Sequence, residues 1–219
     1  TFKQQFKGLI QKLDKVGQVG HFWRNMTNSL LETALYWRKM GIATIPIKYR
    51  DKRPDGTKVP EWEPYQTTLP TEEQLKTWFP GRLHNLGVVV GWKNLIVVDF
   101  DLNDGDYTLW RLWVARQSRY IRHLVNDTYQ VMTGRGYHFY FTTLQPETNR
   151  KLSKIDIKAQ GGYVLAPPSI HPSGRAYREL TPGAVPLGIN VLSDILPSNF
   201  LVQNTPLPSD IVIPSRAAA

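Results

Sequence analysis

Two carboxylates one residue apart close an apolar run: residues 95–101 read LIVVDFD, ending on Asp99 and Asp101. Side chains alternate along a strand, so both acids share one face and Phe100 takes the other. Like charges at that spacing raise each other's pKa unless a cation lies between them. Hard divalent ions such as Mg²⁺ and Mn²⁺ take carboxylate oxygens, commonly one or two together with the phosphate oxygens of a substrate. Two such ions activate an attacking hydroxyl and stabilise a leaving pyrophosphate. A third acid, Asp156, stands between Ile155 and Ile157 in the strand-like IDIKAQGG and so points away from both. Taken singly, the Asp-x-Asp pair fits a solvated strand end, and Asp156 fits a paired structural acid. Three acids in two strands, each facing away from apolar neighbours, are harder to explain that way.

Between these acids lies TGRGYHFYF, residues 133–141. Small residues ahead of a strand let backbone N–H groups approach phosphate oxygens, and Arg135 and His138 would add charge. The plainer reading of His138 is a structural strand histidine. The stretch APPSIHPSG offers Ser169 and His171 in a proline-stiffened loop, or simply a turn. Other chemistries are excluded by pattern. Phe139 stands where a dinucleotide fingerprint needs its third glycine, and no GxxxxGK[ST], GxSxG or HExxH occurs. DFDLNDGDYTLW begins like a calcium loop, but its glycine is displaced by one and Trp110 occupies the place of the bidentate Glu.

The elements that must position these residues can be read from periodicity. Residues 3–15 place Phe6, Leu9, Ile10 and Leu13 at helical spacing, and VGQVG breaks that helix. A second helix starts near Asn28 or Ser29, runs through LLETALYWRKM and stops at Gly41. The strand IATIPIKY leads into RDKRPDGTKVPEWEPYQTT, a loop carrying Arg50, Lys52, Arg53 and Lys58. Thr71 with Glu72, Glu73 and Gln74 opens a capped helix running to about Phe79. NLGVVVG and NLIVVDFD, separated by WKN, read as a hairpin or as adjacent buried strands. Residues 107–124 form the longest helical pattern, with Leu109, Leu112, Trp113, Tyr120, Ile121 and Leu124 on its apolar side. Its Arg111, Arg116, Arg119 and Arg122 have no acid among them. TYQVMT and YHFYFTT are strands joined by GRG, and KIDIKA and GYVLAPP are strands with GG at the turn. Beyond about residue 181 the chain is proline-rich and irregular, with one short helix near 190–196. Strands that neighbour one another in sequence predict a mixed α/β domain with much antiparallel pairing.

The 219 residues suffice for one domain with extensions and a proper core. No apolar run is long enough to span a bilayer, and no signal peptide is visible. The absence of cysteine excludes disulfides and thiolate metal sites and agrees with a reducing cytoplasm. Residues 1–60 hold 12 Lys/Arg against four acids, whereas the remainder is nearly balanced at 15 against 14. A basic quarter of that kind suits a polyanion, although an ordinary solvated face explains it equally well. The ending SRAAA resembles a vector-derived segment, and the start at Thr1 suggests an excised piece.

In their order, DFD, TGRGYH and IDIKAQGGYVLAPPSIHPSG resemble the three-motif core of the archaeo-eukaryotic primase superfamily. In particular they resemble the bifunctional primase-polymerase (Prim-Pol) domain of plasmids, phages and CRISPR-associated proteins. GGYVLAPPS is the most specific piece, and the likeness spans roughly residues 30–180. It implies an α+β fold, with an RRM-like mixed or antiparallel sheet carrying the carboxylates and a smaller α/β nucleotide-binding module. Residues 27–182 would be the catalytic domain, 1–26 a helical appendage and 183–219 an irregular tail.

The resemblance also implies template-directed joining of (d)NTPs to a primer or initiating nucleotide on single-stranded DNA, using two Mg²⁺ or Mn²⁺ ions. Helicase, CRISPR or replication domains, fused or associated, would be partners outside this chain. By position, Asp99, Asp101 and Asp156 match the metal ligands, and His138 the histidine that contacts the incoming triphosphate. Thr133, Gly134 and Arg135 fall in the same phosphate-facing loop. Ser169 and His171 fall where the Pro-Pro-Ser loop approaches the nucleotide, and Lys58 matches a basic residue ahead of the first motif. Lys158 stands where Arg is frequent, and Ala159-Gln160 replaces the usual Gly-Asp, changes that bear on nucleotide preference and leave the acids intact.

Candidate template contacts are Lys48, Arg50, Lys52 and Arg53 in the basic loop and Arg111, Arg119 and Arg122 in the helix. Trp62, Tyr65, Trp78 and Trp92 are base-stacking candidates or core aromatics. Two other functions use the same residues: an inactive nucleic-acid-binding module of this fold, and a metal-dependent phosphohydrolase or nuclease.

Overall fold

The computed structural model describes residues 29–81, 83–101 and 105–202. The expected appendage at 1–26 and the last part of the tail lie outside the described residues. In chain order the elements are α1 (Leu30–Lys39), β1 (Thr44–Lys48), α2 (Glu72–Trp78), β2 (His84–Val89), β3 (Leu95–Asp101), α3 (Asp106–Ala115), α4 (Arg119–Asp127), β4 (Gln130–Met132), β5 (Gly136–Thr142), β6 (Arg150–Lys151), β7 (Asp156–Lys158), β8 (Tyr163–Ala166), β9 (Arg178–Glu179) and β10 (Leu187–Gly188). The fold is mixed α+β, as expected. The described strands form two sheets, a smaller one in the order β1-β2-β8 and a larger one in the order β6-β7-β3-β5-β4-β9. Pairing is antiparallel except where β10 lies parallel to the end of β5.

Local signals place the helices. Ser29 Oγ accepts from Glu32 N–H at 3.1 Å to cap α1, which buries Leu30, Ala34 and Trp37 along one stripe. Thr71 and Gln74 form a reciprocal capping box at the start of α2. The expected helix over 107–124 is two helices: the chain turns after Ala115, and Ser118 Oγ caps α4 through Ile121 N–H. The buried stripe also differs from the expected one. Trp110 and Val114 are buried, whereas Leu109, Leu112 and Tyr120, expected on the apolar side, are exposed.

The two apolar runs flanking WKN are not paired with each other. β2 belongs to the smaller sheet and β3 to the larger. Gly91, at φ 91°, opens the turn between them, and Lys93 and Asn94 are also left-handed. A Cβ on Gly91 would lie 2.7 Å from Gln160 Cα, so the turn is held against the chain that leads into β8.

Each sheet surface makes a core. Ile96, Val98, Phe100, Phe139, Phe141 and Ile157 face α3 and α4, packing on Trp110, Val114, Leu124 and Val125. Leu95, Val97, Val131 and Tyr140 face the other way, into a core shared with the smaller sheet and α1. The described part of the tail is irregular but packed: Ile189, Leu192, Ile195, Leu196 and Phe200 are buried, and Trp110 Nε1 donates to Ile195 O at 2.7 Å. No described helix is long and apolar enough to cross a membrane.

Candidate active site

Alternation along β3 creates the site. Leu95 and Val97 point into the inner core, and on the same face, two and four residues on, Asp99 and Asp101 reach an open cleft between the two sheets. Antiparallel register brings the other groups alongside. Asp99 lies directly opposite His138 on β5 and Asp156 on β7, and Asp101 lies opposite Gly136. Ile155 and Ile157 are buried on the far side, so Asp156 faces the cleft as its flanking isoleucines predict. The cleft encloses about 790 Å³ with its solvent mouth.

Each acid has a basic side chain beside it. Lys158 Nζ lies 2.6 Å from Asp156 Oδ2, Arg135 Nη2 lies 3.2 Å from Asp101 Oδ2, and His138 Nε2 lies 3.4 Å from Asp99 Oδ1. Burial is the largest influence on the Asp99 carboxyl and pushes its pKa up. His138, Lys158 and Lys52 together outweigh it and hold the group below the ordinary carboxylate range. Asp99 is therefore ionised at neutral pH. The buried Nδ1 of His138 has no hydrogen-bond partner among the described residues.

The donor set suits a hard divalent ion: three carboxylates converge on one cleft, with no sulfur or competing soft ligand. As the side chains stand, no three His, Asp or Glu groups among the described residues close on a single point. Each acid is turned toward its own basic neighbour.

The glycine-flanked loop works differently from its sequence reading. Thr133 Oγ1 accepts from the N–H groups of Arg135 and Gly136 at 3.2 and 2.8 Å, and Thr133 N–H donates to Gly136 O at 2.8 Å. Those three amides are consumed in the turn and are not offered to phosphate. The glycines serve close packing: a Cβ on Gly136 would stand 1.7 Å from Phe100 O, and one on Gly134 would stand 2.1 Å from His171 Cγ. What the loop presents to the cleft is the Arg135 guanidinium and the Thr133 side chain.

His171 lines the cleft, its Nδ1 accepting from Ser173 N–H at 3.1 Å. Burial, with Lys52, Arg135 and Arg175 nearby, lowers its pKa against the opposing pull of Asp101. Ser169 does not line the cleft. It is fully buried, and its hydroxyl accepts from Leu86 N–H at 2.9 Å and donates to Leu86 O at 3.2 Å, fastening the Pro-Pro-Ser loop to β2. Asn85, also fully buried, donates to Asp51 O and Ile170 O and accepts from Ile170 N–H, joining the basic loop to the His171 loop.

Of the basic loop, Lys52 reaches the cleft, whereas Lys48 is exposed at the end of β1, Arg50 donates to Pro172 O and Arg53 pairs with Asp51. Lys58 stands outside the cleft lining. Arg111, Arg119 and Arg122 belong to the helical layer, across the sheet from the acids; Arg111 donates to Asn126 and Arg122 to Gln117 O. The four stacking candidates are mainly core: Trp78 is buried, and Trp62, Tyr65 and Trp92 pack against the inner core. Tyr163 and Tyr177 also line the cleft, and sequence reading did not single them out. The alternation of β8 signals Tyr163, which shares a face with Leu165. Nothing local signals Tyr177.

The sequence profile of the family described as bifunctional DNA primase/polymerase, N-terminal (Prim-Pol) matches residues 34–191, a span that includes every residue of this cleft. No curated protein matches the chain. The chain belongs to the Prim-Pol family.

Proposed function

Taking that membership as premise, we propose that the cleft joins (d)NTPs to the 3′-hydroxyl of a primer, or to an initiating nucleotide, on a single-stranded DNA template. The larger sheet would correspond to the RRM-like, carboxylate-bearing sheet of the primase superfamily, and the smaller sheet with its loops to the nucleotide-binding module. One observation carries the reading: Asp99, Asp101 and Asp156 share one sheet face and one cleft with Arg135, His138 and Lys158. Acids alone would repel a triphosphate and cations alone would only bind it.

Asp99, Asp101 and Asp156 would hold two Mg²⁺ or Mn²⁺ ions, which when bound acidify the attacking hydroxyl and neutralise the leaving pyrophosphate. Arg135 and Lys158, both flexible and at the cleft, bind the phosphate oxygens and spread their charge. His138, held by its strand, keeps its Nε2 edge toward the acids and the reacting phosphate. Lys52 and Tyr163, from the smaller sheet and its loop, and Tyr177, just ahead of β9, line the cleft and orient the nucleotide against the acids. Template backbone would approach along the basic loop, where Lys48, Arg50 and Lys52 are exposed. Helicase, CRISPR or replication domains beyond this chain would deliver the template.

The test is incubation of the chain with primed single-stranded DNA, labelled dNTPs or ATP, and Mn²⁺ or Mg²⁺. Lengthened products that vanish with Asp99→Ala and Asp101→Ala support the reading, and mutant synthesis at the wild-type level refutes it. Shortened DNA would identify a nuclease instead, and DNA binding without nucleotide binding an inactive module.

A further inference from the structure

The three cleft acids are not equivalent in what holds them. His138 is 7% exposed on a central strand, so its 3.4 Å approach to Asp99 is fixed by the sheet. Lys158 and Arg135 are long, flexible and partly exposed, and each contacts its acid by one side-chain nitrogen. An ammonium 2.6 Å from Asp156 Oδ2 repels a divalent ion approaching the same carboxylate. The displaced ammonium then needs another anion, since a cation left unpaired in a half-buried cleft is costly.

We propose that Lys158 and Arg135 are exchangeable counter-ions. They hold Asp156 and Asp101 while no divalent ion is bound, and turn to the nucleotide triphosphate when ions take the acids. Ions and nucleotide therefore load together, each favouring the other, and the chain binds free divalent ions poorly in the absence of nucleotide. The inference rests on the metal and triphosphate reading above and adds a direction to it: the two cations oppose the ions until a triphosphate arrives. The coupling is reciprocal, so the factor by which nucleotide tightens the ion is the factor by which the ion tightens nucleotide. Lys158 carries the larger share. Its pair with Asp156 is 27% exposed on each side, whereas Arg135 and Asp101 are 52% and 49% exposed and more screened by water.

The measurement is a Mn²⁺ titration of the whole chain followed by the paramagnetic resonance of the free ion. It is made with and without a non-hydrolysable nucleoside triphosphate analogue. Lys158→Gln is expected to bind Mn²⁺ without nucleotide at least about fivefold more tightly than wild type, the low end of ordinary coupling between sites. The tightening on adding the analogue should shrink by a similar factor. Arg135→Gln should move the same way by less. Lys76→Gln, which removes the same charge from an exposed turn of α2, should change neither. If Lys158→Gln binds Mn²⁺ no more tightly than wild type, the counter-ion proposal is overturned. If instead Asp99→Ala and Asp156→Ala bind Mn²⁺ as well as wild type does with the analogue present, the carboxylate–metal reading itself fails. The two failures are read from different variants.

Discussion

Asp99 and Phe100 are joined by one peptide bond and live in different solvents. Phe100 is fully buried on the helical face of the larger sheet, stacked on Trp110 at 4.6 Å between ring centroids and edge-on to Phe139 at 5.9 Å. Asp99 is on the opposite face, among His138, Asp156 and Lys158. The helical face is covered along its length by α3, α4 and the described tail. On β3 and β5 the other face is covered by the smaller sheet and α1 as far as Val97 and Tyr140, and beyond them it opens to the cleft at Asp99 and Asp101. The difference teaches that the site lies where one cover of a two-faced sheet ends. The other cover keeps the strands in register beneath it.

That contrast can be attacked from either side. The largest effect should come from the open face: Asp99→Ala should lower primer extension by about a hundredfold or more with little change in melting temperature, checked by extension kinetics and calorimetry. Phe100→Ala should do the reverse, costing about 3–5 kcal/mol of stability while molecules still folded retain synthesis. Ser169→Ala sits between the two. It leaves Leu86 N–H and C=O without their buried partner and should cost about 1–3 kcal/mol, read as a lowered denaturation midpoint. The smallest effect belongs to Arg119→Gln on the outer surface of the helical layer. Stability should stay within about 0.5 kcal/mol and extension within about twofold, and a larger loss of extension would bring the template across to that side.

Local rules were legible and remote ones were not. Alternation alone puts Asp99 with Asp101 and turns Asp156 away from Ile155 and Ile157, because strand periodicity needs no knowledge of partners. Capping residues Ser29 and Thr71 mark their helices for the same reason. Which strands pair is decided by contacts far along the chain. NLGVVVG and NLIVVDFD therefore look like a hairpin, although β2 chooses β1 and β8 while β3 chooses β5 and β7. The glycines of the 133–136 loop are visible in sequence, but their reasons, the His171 ring and the Phe100 carbonyl, come from elsewhere. Likewise Ser169 reads as a ligand because its buried hydrogen bonds to Leu86 cross 83 residues. Lys52 and Tyr177 enter the cleft on loops, where no period exists to announce a direction.

Asn85 gives the cleft a mechanical property. Its carboxamide joins the carbonyl of Asp51 to both backbone groups of Ile170, and Tyr163 Oη adds a 2.9 Å bond to Lys52 O. The loop that carries Lys52 and the loop that carries His171 are thus riveted to the same strands and to each other. The roof over the acids is thereby cross-braced: its two loops share one buried carboxamide and one tyrosine hydroxyl.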